Sequence, residues 1–173
     1  VGGLKARERD EMIPLELDTI GQETTGPGGF AKACRTIPIA LEITRDMEDR
    51  CPSAWLINFT NPAGIVTQAI NKYSNIHAIG LCNVPVSMER ELAEFIGYNP
   101  QDIHCDFVGL NHLSWITGIW SNGVNRIKEV IQSIDTDKKI MRNIPSIPGS
   151  QSLIADLGAI PSPYLNYYYF ERY

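Results

Sequence analysis

Cys82 and His112 are the pair in this 173-residue sequence whose types and spacing could do chemistry together. Cys82 ends a short apolar run, and His112 ends the segment 109–112. A thiolate and an imidazole can bind a divalent metal and leave coordination positions for substrate oxygens. They can also form a nucleophile and its base. The spacing alone favours a third interpretation, in which the thiol is buried and the histidine is hydrogen-bonded in the core. The remaining thiols and imidazoles have no such setting and are interpreted as structural: Cys34, Cys51, Cys105, His77 and His104.

Asn61 is a second candidate, because it lies between an apolar run and Pro62. Asparagine before proline initiates turns and caps helices, so turn chemistry alone can account for it. In the functional interpretation, the Asn61 amide donates or accepts a hydrogen bond with a sugar hydroxyl. Both interpretations place this residue in a turn between a strand and a helix.

Four tyrosines lie within six residues, at Tyr164, Tyr167, Tyr168 and Tyr169. An aromatic cluster in a core or an interface is the simpler interpretation. A tyrosine can act as a general base only where nearby cations or a metal-bound substrate lower its effective pKa from about 10. The cluster is therefore a candidate for proton transfer only if a cation site lies close by.

The charge of the chain limits its partners. There are 15 Lys and Arg residues against 20 Asp and Glu, which gives a net charge of −5, and this acidic balance argues against nucleic acid. Arg7 and Arg35 are possible anion contacts within it. A few placed arginines in an acidic chain fit a small phosphorylated ligand better than a polyanion.

The glycine-rich segment 26–31 matches the dinucleotide pattern G-x-G-x-x-A and precedes a helix. That fingerprint also needs a strand directly before it, so that the turn delivers the pyrophosphate to the helix N-terminus. Here a polar loop precedes it, and Glu23 places a carboxylate in the path of the anion. The segment therefore predicts an ordered active-site loop and no dinucleotide turn.

Two apolar runs, 54–59 and 78–82, are each followed by a polar turn and an amphipathic helix. Strand–helix–strand–helix at these lengths predicts parallel strands of a doubly wound, Rossmann-like α/β sheet. Ligands bind at the carboxyl edge of such strands. Asn61, Cys82 and Asn83 are therefore predicted to lie at that edge.

Before these strands we expect a short helix or loop up to about residue 29, then a helix over 30–49 that Pro38 kinks or splits. After them, strands are predicted over 103–109 and 112–120, joined to a helical segment over 124–145 by an Asn-Gly turn. The change of pattern indicates two domains. Residues 1–108 would form the second part of a Rossmann-like domain, and 109–173 the start of a mixed α+β substrate and metal region.

No apolar run reaches the roughly 18–20 residues of a membrane span, and no secretory signal is visible. The four cysteines are too sparse for a disulfide framework, so we expect reduced and mostly buried thiols in a cytoplasmic protein. The chain begins without Met and stops within an aromatic run. Both ends suggest an internal piece of a longer polypeptide.

Six sequence blocks in order resemble glycoside hydrolase family 4, the NAD- and metal-dependent glycosidases, and within it the 6-phospho-β-glucosidases. They span nearly the whole chain, and their combination is far more specific than any one of them. The blocks are Val1-Gly2-Gly3 with Ala6-Arg7 and Asp10-Glu11, then 21–29, 58–64, 80–85, 109–112 and Pro163-Tyr164.

The resemblance implies a role for each candidate residue. Cys82 and His112 would bind the divalent metal, usually manganese. Asn61 would contact the sugar and Arg7 its 6-phosphate. Tyr164 would be the catalytic base, and Glu23 would be the carboxylate that raises its basicity. The choice of Tyr164 over the other tyrosines of the cluster is the least supported of these assignments.

Asn83 bears on the anomer. The α-glucoside members of the family tend to carry an acidic proton donor directly after the metal cysteine, and an amide cannot protonate a leaving group. The resemblance therefore implies a phosphorylated disaccharide or an aryl 6-phospho-β-glucoside as substrate. The family is an exception to two-carboxylate glycoside hydrolysis, and its implied mechanism is oxidation, elimination, water addition and reduction.

The family's enzymes are several hundred residues long and start with a glycine-rich dinucleotide turn, which this chain lacks. The main NAD contacts are therefore not assigned to any of its residues. Two alternatives remain: a catalytically incomplete sugar-phosphate-binding or assembly module, and a 6-phospho-α-glucosidase or NAD-dependent dehydrogenase. Relatives tend to form dimers or tetramers, so a homo-oligomer without nucleic acid or membrane partners is expected.

Overall fold

A computed structural model describes residues 2–133 and 150–169. The chain divides into two compact units, Val1–Cys82 and Asn83–Tyr173. No helix among the described residues is long and apolar enough to cross a membrane.

The first unit begins with two packed helices, α1 (Gly3–Glu16) and α2 (Gly26–Arg50). The side chain of Arg35 on α2 forms an ion pair with the buried carboxylate of Asp10 on α1. Gly28 lies so close to the main chain of Asp10 that a β-carbon there would collide with it. The glycine-rich start of α2 therefore serves helix packing.

A parallel βαβ unit completes this body. Strands β1 (Trp55–Asn58) and β2 (His77–Gly80) pair in parallel, with Trp55 opposite His77. Helix α3 (Ala63–Tyr73) connects them and buries Val66 and Ile70. The predicted parallel strands and their connecting helix are confirmed.

The second unit opens with helix α4 (Val84–Phe95) and is organised around an antiparallel sheet. Its long hairpin pairs β3 with β4, and β5 and β6 each pair with β4. Fully buried side chains from several elements, among them Met88, Leu92, Ile116 and Ile160, form its core. The remaining elements are β3 (Ile103–Leu110), β4 (Leu113–Ser121), β5 (Val124–Asn125), α5 (Ile127–Ser133), α6 (Ser150–Leu157), β6 (Ile160–Pro161) and α7 (Asn166–Tyr169).

Two details differ from the sequence predictions, and a third, the helix in the first stretch, decides between the predicted helix and loop. Helix α2 is not split at Pro38, because this residue lies on an exposed face of a 25-residue helix that packs on α1 and α3. The first stretch contains a 14-residue helix, α1. Residues 124–125 form a strand before helix α5 begins at Ile127, and the predicted helix beyond residue 133 lies outside the described residues.

The expectation of mostly buried thiols is wrong. Cys105 is buried, but Cys34 and Cys51 are exposed and Cys82 is half-buried. Burial, followed by the nearby charges of Glu89 and Asp106, raises the pKa of the Cys105 thiol to about 12. Cys105 is therefore a neutral core residue, whereas Cys82 has access to solvent.

Candidate functional site

The turn that carries Asn61 is organised by the buried side chain of Asn58 at the end of β1. The Asn58 amide nitrogen donates to Thr67 Oγ1 at 3.0 Å and to the carbonyl of Ala63 at 3.3 Å. Its carbonyl oxygen accepts from the main-chain N–H of Thr60 at 3.1 Å. One side chain thus ties the strand end to the first turns of α3 and fixes the course of the chain through Asn61.

The loop before α2 is fixed in the same way by the buried side chain of Gln22. Its Oε1 accepts from the main-chain N–H groups of Thr24 at 2.9 Å and Thr25 at 2.8 Å, and from the Thr25 hydroxyl at 2.9 Å. Glu23 lies between these residues. Its backbone is therefore held by its neighbours, as predicted for an ordered loop.

The Glu23 carboxylate is the centre of a polar cluster, defined here as the Glu23 cluster: Arg7, Glu11, Glu23, Lys32 and Asn61. Lys32 Nζ donates to Glu23 Oε2 at 2.5 Å, and Arg7 Nε lies 3.6 Å from the same oxygen. Asn61 Nδ2 donates to Glu23 Oε1 at 2.9 Å. Arg7 also pairs with Glu11 at 2.9 Å. Three candidate residues that are far apart in sequence, Arg7, Glu23 and Asn61, thus meet in the first unit.

The cluster keeps the Glu23 carboxylate ionised. Burial alone would raise the pKa of this carboxyl, but it is outweighed by the hydrogen bonds from Lys32 and Asn61 and by the charges of Lys32 and Arg7. The pKa is therefore below its ordinary value. An ionised Glu23 can only accept hydrogen bonds, so the Asn61 NH₂ group must face it and the Asn61 carbonyl oxygen points away from it.

His112 lies in the two-residue turn of the β3–β4 hairpin, where Leu110 pairs with Leu113. Its side chain is only 3% exposed, and its φ of +64° lies in the left-handed region. Residues other than glycine rarely adopt that backbone conformation, and those that do are found preferentially at functional sites. The same hairpin needs Gly109, whose φ is +121° and whose position leaves no room for a β-carbon beside the main chain of Leu113.

Tyr164 is the tyrosine that contacts His112. The two rings stack with their centroids 3.8 Å apart and an interplanar angle of 21°. The ring of Tyr167 lies next to that of Tyr164, with the two centroids 5.7 Å apart. The rings of Tyr168 and Tyr169 pair with each other, with their centroids 6.4 Å apart. Tyr164 is held in a short 3₁₀ turn (Pro163–Leu165), where Ser162 caps its N–H.

The remaining candidates, Cys82 and Asn83, are neighbours in the sequence where the first unit ends and the second begins. Cys82 ends the first unit two residues after β2, and Asn83 is the exposed N-cap residue of α4 in the second. The described residues contain no group of three or more His, Cys, Asp and Glu side chains that could hold a metal ion. The assignment of Cys82 and His112 as metal ligands stays a prediction.

Lys32, Asn58 and Gln22 are polar residues to which the sequence analysis gave no role. Lys32 lies nine residues from Glu23 and across the start of a helix, so no local pattern connects the two charges. Asn58 had a usable pattern, because an asparagine at the end of a strand and before a Thr-Asn-Pro turn is typical of side-chain-capped turns.

A parallel βαβ unit with polar side chains at its strand ends, followed by an antiparallel sheet, defines an α/β protein of Rossmann-like type with a mixed α+β second part. Comparison with family models identifies it further. Family 4 glycosyl hydrolase matches residues 1–98, and the Family 4 glycosyl hydrolase C-terminal domain matches residues 107–173. The chain belongs to glycosyl hydrolase family 4. The boundary between 108 and 109 stays a prediction.

Individual relatives agree with the family assignment. A probable 6-phospho-beta-glucosidase of Bacillus subtilis is 42% identical over 172 residues, which are 98% of this chain and 39% of the relative. The structure of the Thermotoga maritima 6-phospho-beta glucosidase with manganese, NAD⁺ and glucose-6-phosphate superposes with a TM-score of 0.82 at 38% identity, covering 97% of this chain and 40% of that one.

A 6-phospho-alpha-glucosidase from gut microorganisms, solved with NAD and glucose-6-phosphate, has the same TM-score of 0.82 at a lower identity of 30%. It is covered to 40%, and this chain to 98%. The fold therefore does not separate the two anomeric specificities. The chain spans about two fifths of the length of the relatives it matches.

Proposed function

We propose that the protein containing this sequence is a 6-phospho-β-glucosidase that uses NAD and a divalent metal, manganese by preference. The observation that carries the proposal is the Glu23 cluster, which brings Arg7, Glu23 and Asn61 together in a chain of this family. The relatives named 6-phospho-beta-glucosidase, at 38–42% identity, support the substrate class.

Arg7 and Asn61 are the proposed substrate contacts. Half of the Arg7 side chain is exposed, so its guanidinium can bind a phosphate while Glu11 holds its Nε. The Asn61 carbonyl oxygen, turned away from Glu23, can accept a hydrogen bond from a sugar hydroxyl. Exposed Asn83, which cannot protonate a leaving group, supports a β-glycoside.

The donor set fits a divalent metal, since a half-buried thiol and a buried imidazole are both ligands of such ions. Cys82 and His112 are the proposed ligands, and no residue of the chain is assigned to the dinucleotide. When bound, NAD accepts and returns a hydride while the metal acts as a Lewis acid on the sugar oxygens.

Tyr164 is the proposed base, and its part is to take the proton from C2 of the sugar. Its stacking on His112 favours it over Tyr168 and Tyr169, which contact each other. A base beside a metal ligand would feel the cation, and this lowers the effective pKa of a phenol. The role of Glu23 in raising the basicity of this tyrosine stays a prediction.

The test uses the full-length protein, meaning the complete polypeptide encoded by the gene that contains this sequence. We expect it to cleave p-nitrophenyl 6-phospho-β-glucoside in the presence of NAD⁺ and Mn²⁺, with little cleavage of the α-anomer or of the unphosphorylated glucoside. Preference for the α-anomer would overturn the assignment in favour of a 6-phospho-α-glucosidase.

A second candidate is a sugar-phosphate-binding or assembly module without turnover. Glucose 6-phosphate binding without cleavage of either anomer would support it. The expected dimer or tetramer and the cytoplasmic location stay predictions, and light scattering and cell fractionation test them.

A further inference from the structure

We propose that Lys32 is a positioning residue, which fixes the Asn61 amide for substrate through the Glu23 carboxylate. The inference rests on the proposed function. Lys32 Nζ lies 2.5 Å from Glu23 Oε2, and the Asn61 amide nitrogen lies 2.9 Å from the other oxygen of the same carboxylate. Lys32 is thus linked through Glu23 to Asn61, the residue that we expect to contact the sugar.

The local burial makes this chain of contacts effective. The side chains of Lys32 and Glu23 are only 14% and 15% exposed. A charge-assisted hydrogen bond between such groups is screened little by water and is stronger than a neutral one. The other charged groups at Glu23 are Arg7, at 3.6 Å and half exposed, and Glu11, which pairs with Arg7. Lys32 is therefore the best-sheltered cation of the cluster.

The orientation of an asparagine amide depends on the group it faces. A carboxylate accepts hydrogen bonds and cannot donate one, so it forces the Asn61 NH₂ inward. A protonated Glu23 could donate as well as accept, and Asn61 could then turn its carbonyl inward. Because Lys32 and Arg7 help to keep the carboxyl ionised, loss of Lys32 would allow both amide orientations, of which only one presents the carbonyl to a sugar hydroxyl.

The test compares Lys32→Met, Lys32→Arg and the exposed control Lys128→Met in the full-length enzyme. For Lys32→Met we expect a loss on the order of tenfold in kcat/KM, equivalent to about 1.4 kcal/mol. The acid limb of its pH profile should also move to higher pH, because Glu23 then protonates more readily. Lys32→Arg, which keeps the charge, should retain the wild-type limb. The phosphate of the substrate titrates identically in all variants, so a difference between them reports on the protein.

The decisive comparison adds the Lys32 substitution to an enzyme that already carries Glu23→Gln. If Lys32 acts through Glu23, adding Lys32→Met to Glu23→Gln should lower kcat/KM no further. An additive loss would show that Lys32 contacts the substrate itself and would overturn the inference, as would an unchanged acid limb in a folded Lys32→Met enzyme. If Lys32→Met fails to fold, as judged by circular dichroism, Lys32→Gln in the same two backgrounds provides the comparison. Failure of the wild-type enzyme to cleave the substrate would instead count against the proposed function.

Discussion

Among the candidate residues, His112 has the most unusual local setting. It is buried, it stacks on Tyr164, and its backbone lies at a φ of +64°. A non-glycine residue in this region costs about 1–3 kcal/mol and persists where the surrounding structure holds it. The imidazole packs against the Tyr164 ring, and this packing helps to hold the residue in place. The stacking thereby keeps the proposed metal ligand His112 and the proposed base Tyr164 next to each other.

Replacing a metal ligand gives the first prediction at this scale. In the full-length protein, Cys82→Ser and His112→Ala should each weaken Mn²⁺ binding by at least the 10–100-fold that loss of a supporting residue costs at metal sites. Electron paramagnetic resonance of free Mn²⁺ measures the affinity. Exposed Cys34→Ser and His104→Ala are the matched controls and should bind Mn²⁺ as the wild type does. Wild-type affinity in both ligand variants would remove the metal assignment.

The β3–β4 hairpin is the element that determines where His112 lies. Its two strands pair from Ile103 to Leu110 and from Leu113 to Ser121, with an irregularity between Asp106 and Phe107. Gly109 permits the close approach of the strands directly before the turn, since a β-carbon there would lie 2.9 Å from the Ser114 Cα. The position of the imidazole thus depends on a glycine three residues before it.

Gly109→Ala should destabilise the protein by several kcal/mol, because it adds a collision with the partner strand to the cost of a positive φ, which alone is about 1–3 kcal/mol. Gly123→Ala is the matched control, with a φ of +75° and open space around the new β-carbon. Denaturant unfolding of the full-length protein, followed by circular dichroism, measures both variants. Equal losses in the two would show that the collision contributes nothing.

The elements themselves could be predicted wherever one periodic pattern determined them. Strands β1 and β2 and helices α3 and α4 follow from apolar runs bounded by polar turns, and with them the placement of Asn61 at a strand end. The split that Pro38 could have caused in α2 does not occur, because packing against two other helices outweighs a single lost hydrogen bond. The Lys32–Glu23 contact could not be predicted, since it depends on how a loop folds back on a helix.

At the scale of the molecule, the first unit has one sheet face without cover among the described residues. Trp55, Ile57 and Ile79 are 60%, 62% and 45% exposed, and the register of the parallel strands places them on one side. Trp55 also stacks on His77 with ring centroids 5.2 Å apart. Parallel sheets normally have both faces buried, and an exposed apolar patch of this kind marks a contact surface.

This face gives a prediction that distinguishes the 173-residue polypeptide from the full-length protein. Because the matched relatives are about two and a half times as long as this chain, we expect the rest of the polypeptide to cover the face in the full-length protein. A polypeptide limited to residues 1–173 should then bind the apolar dye ANS strongly, and Ile57→Lys should reduce that fluorescence. Leu4→Lys, which removes an exposed side chain of α1, should leave most of the ANS fluorescence.

In the full-length protein, ANS binding should be weak. Ile57→Lys should lower its melting temperature, because the substitution would bury an unpaired charge. Strong dye binding by the full-length protein would show that the face stays open and would point to a partner molecule as its cover.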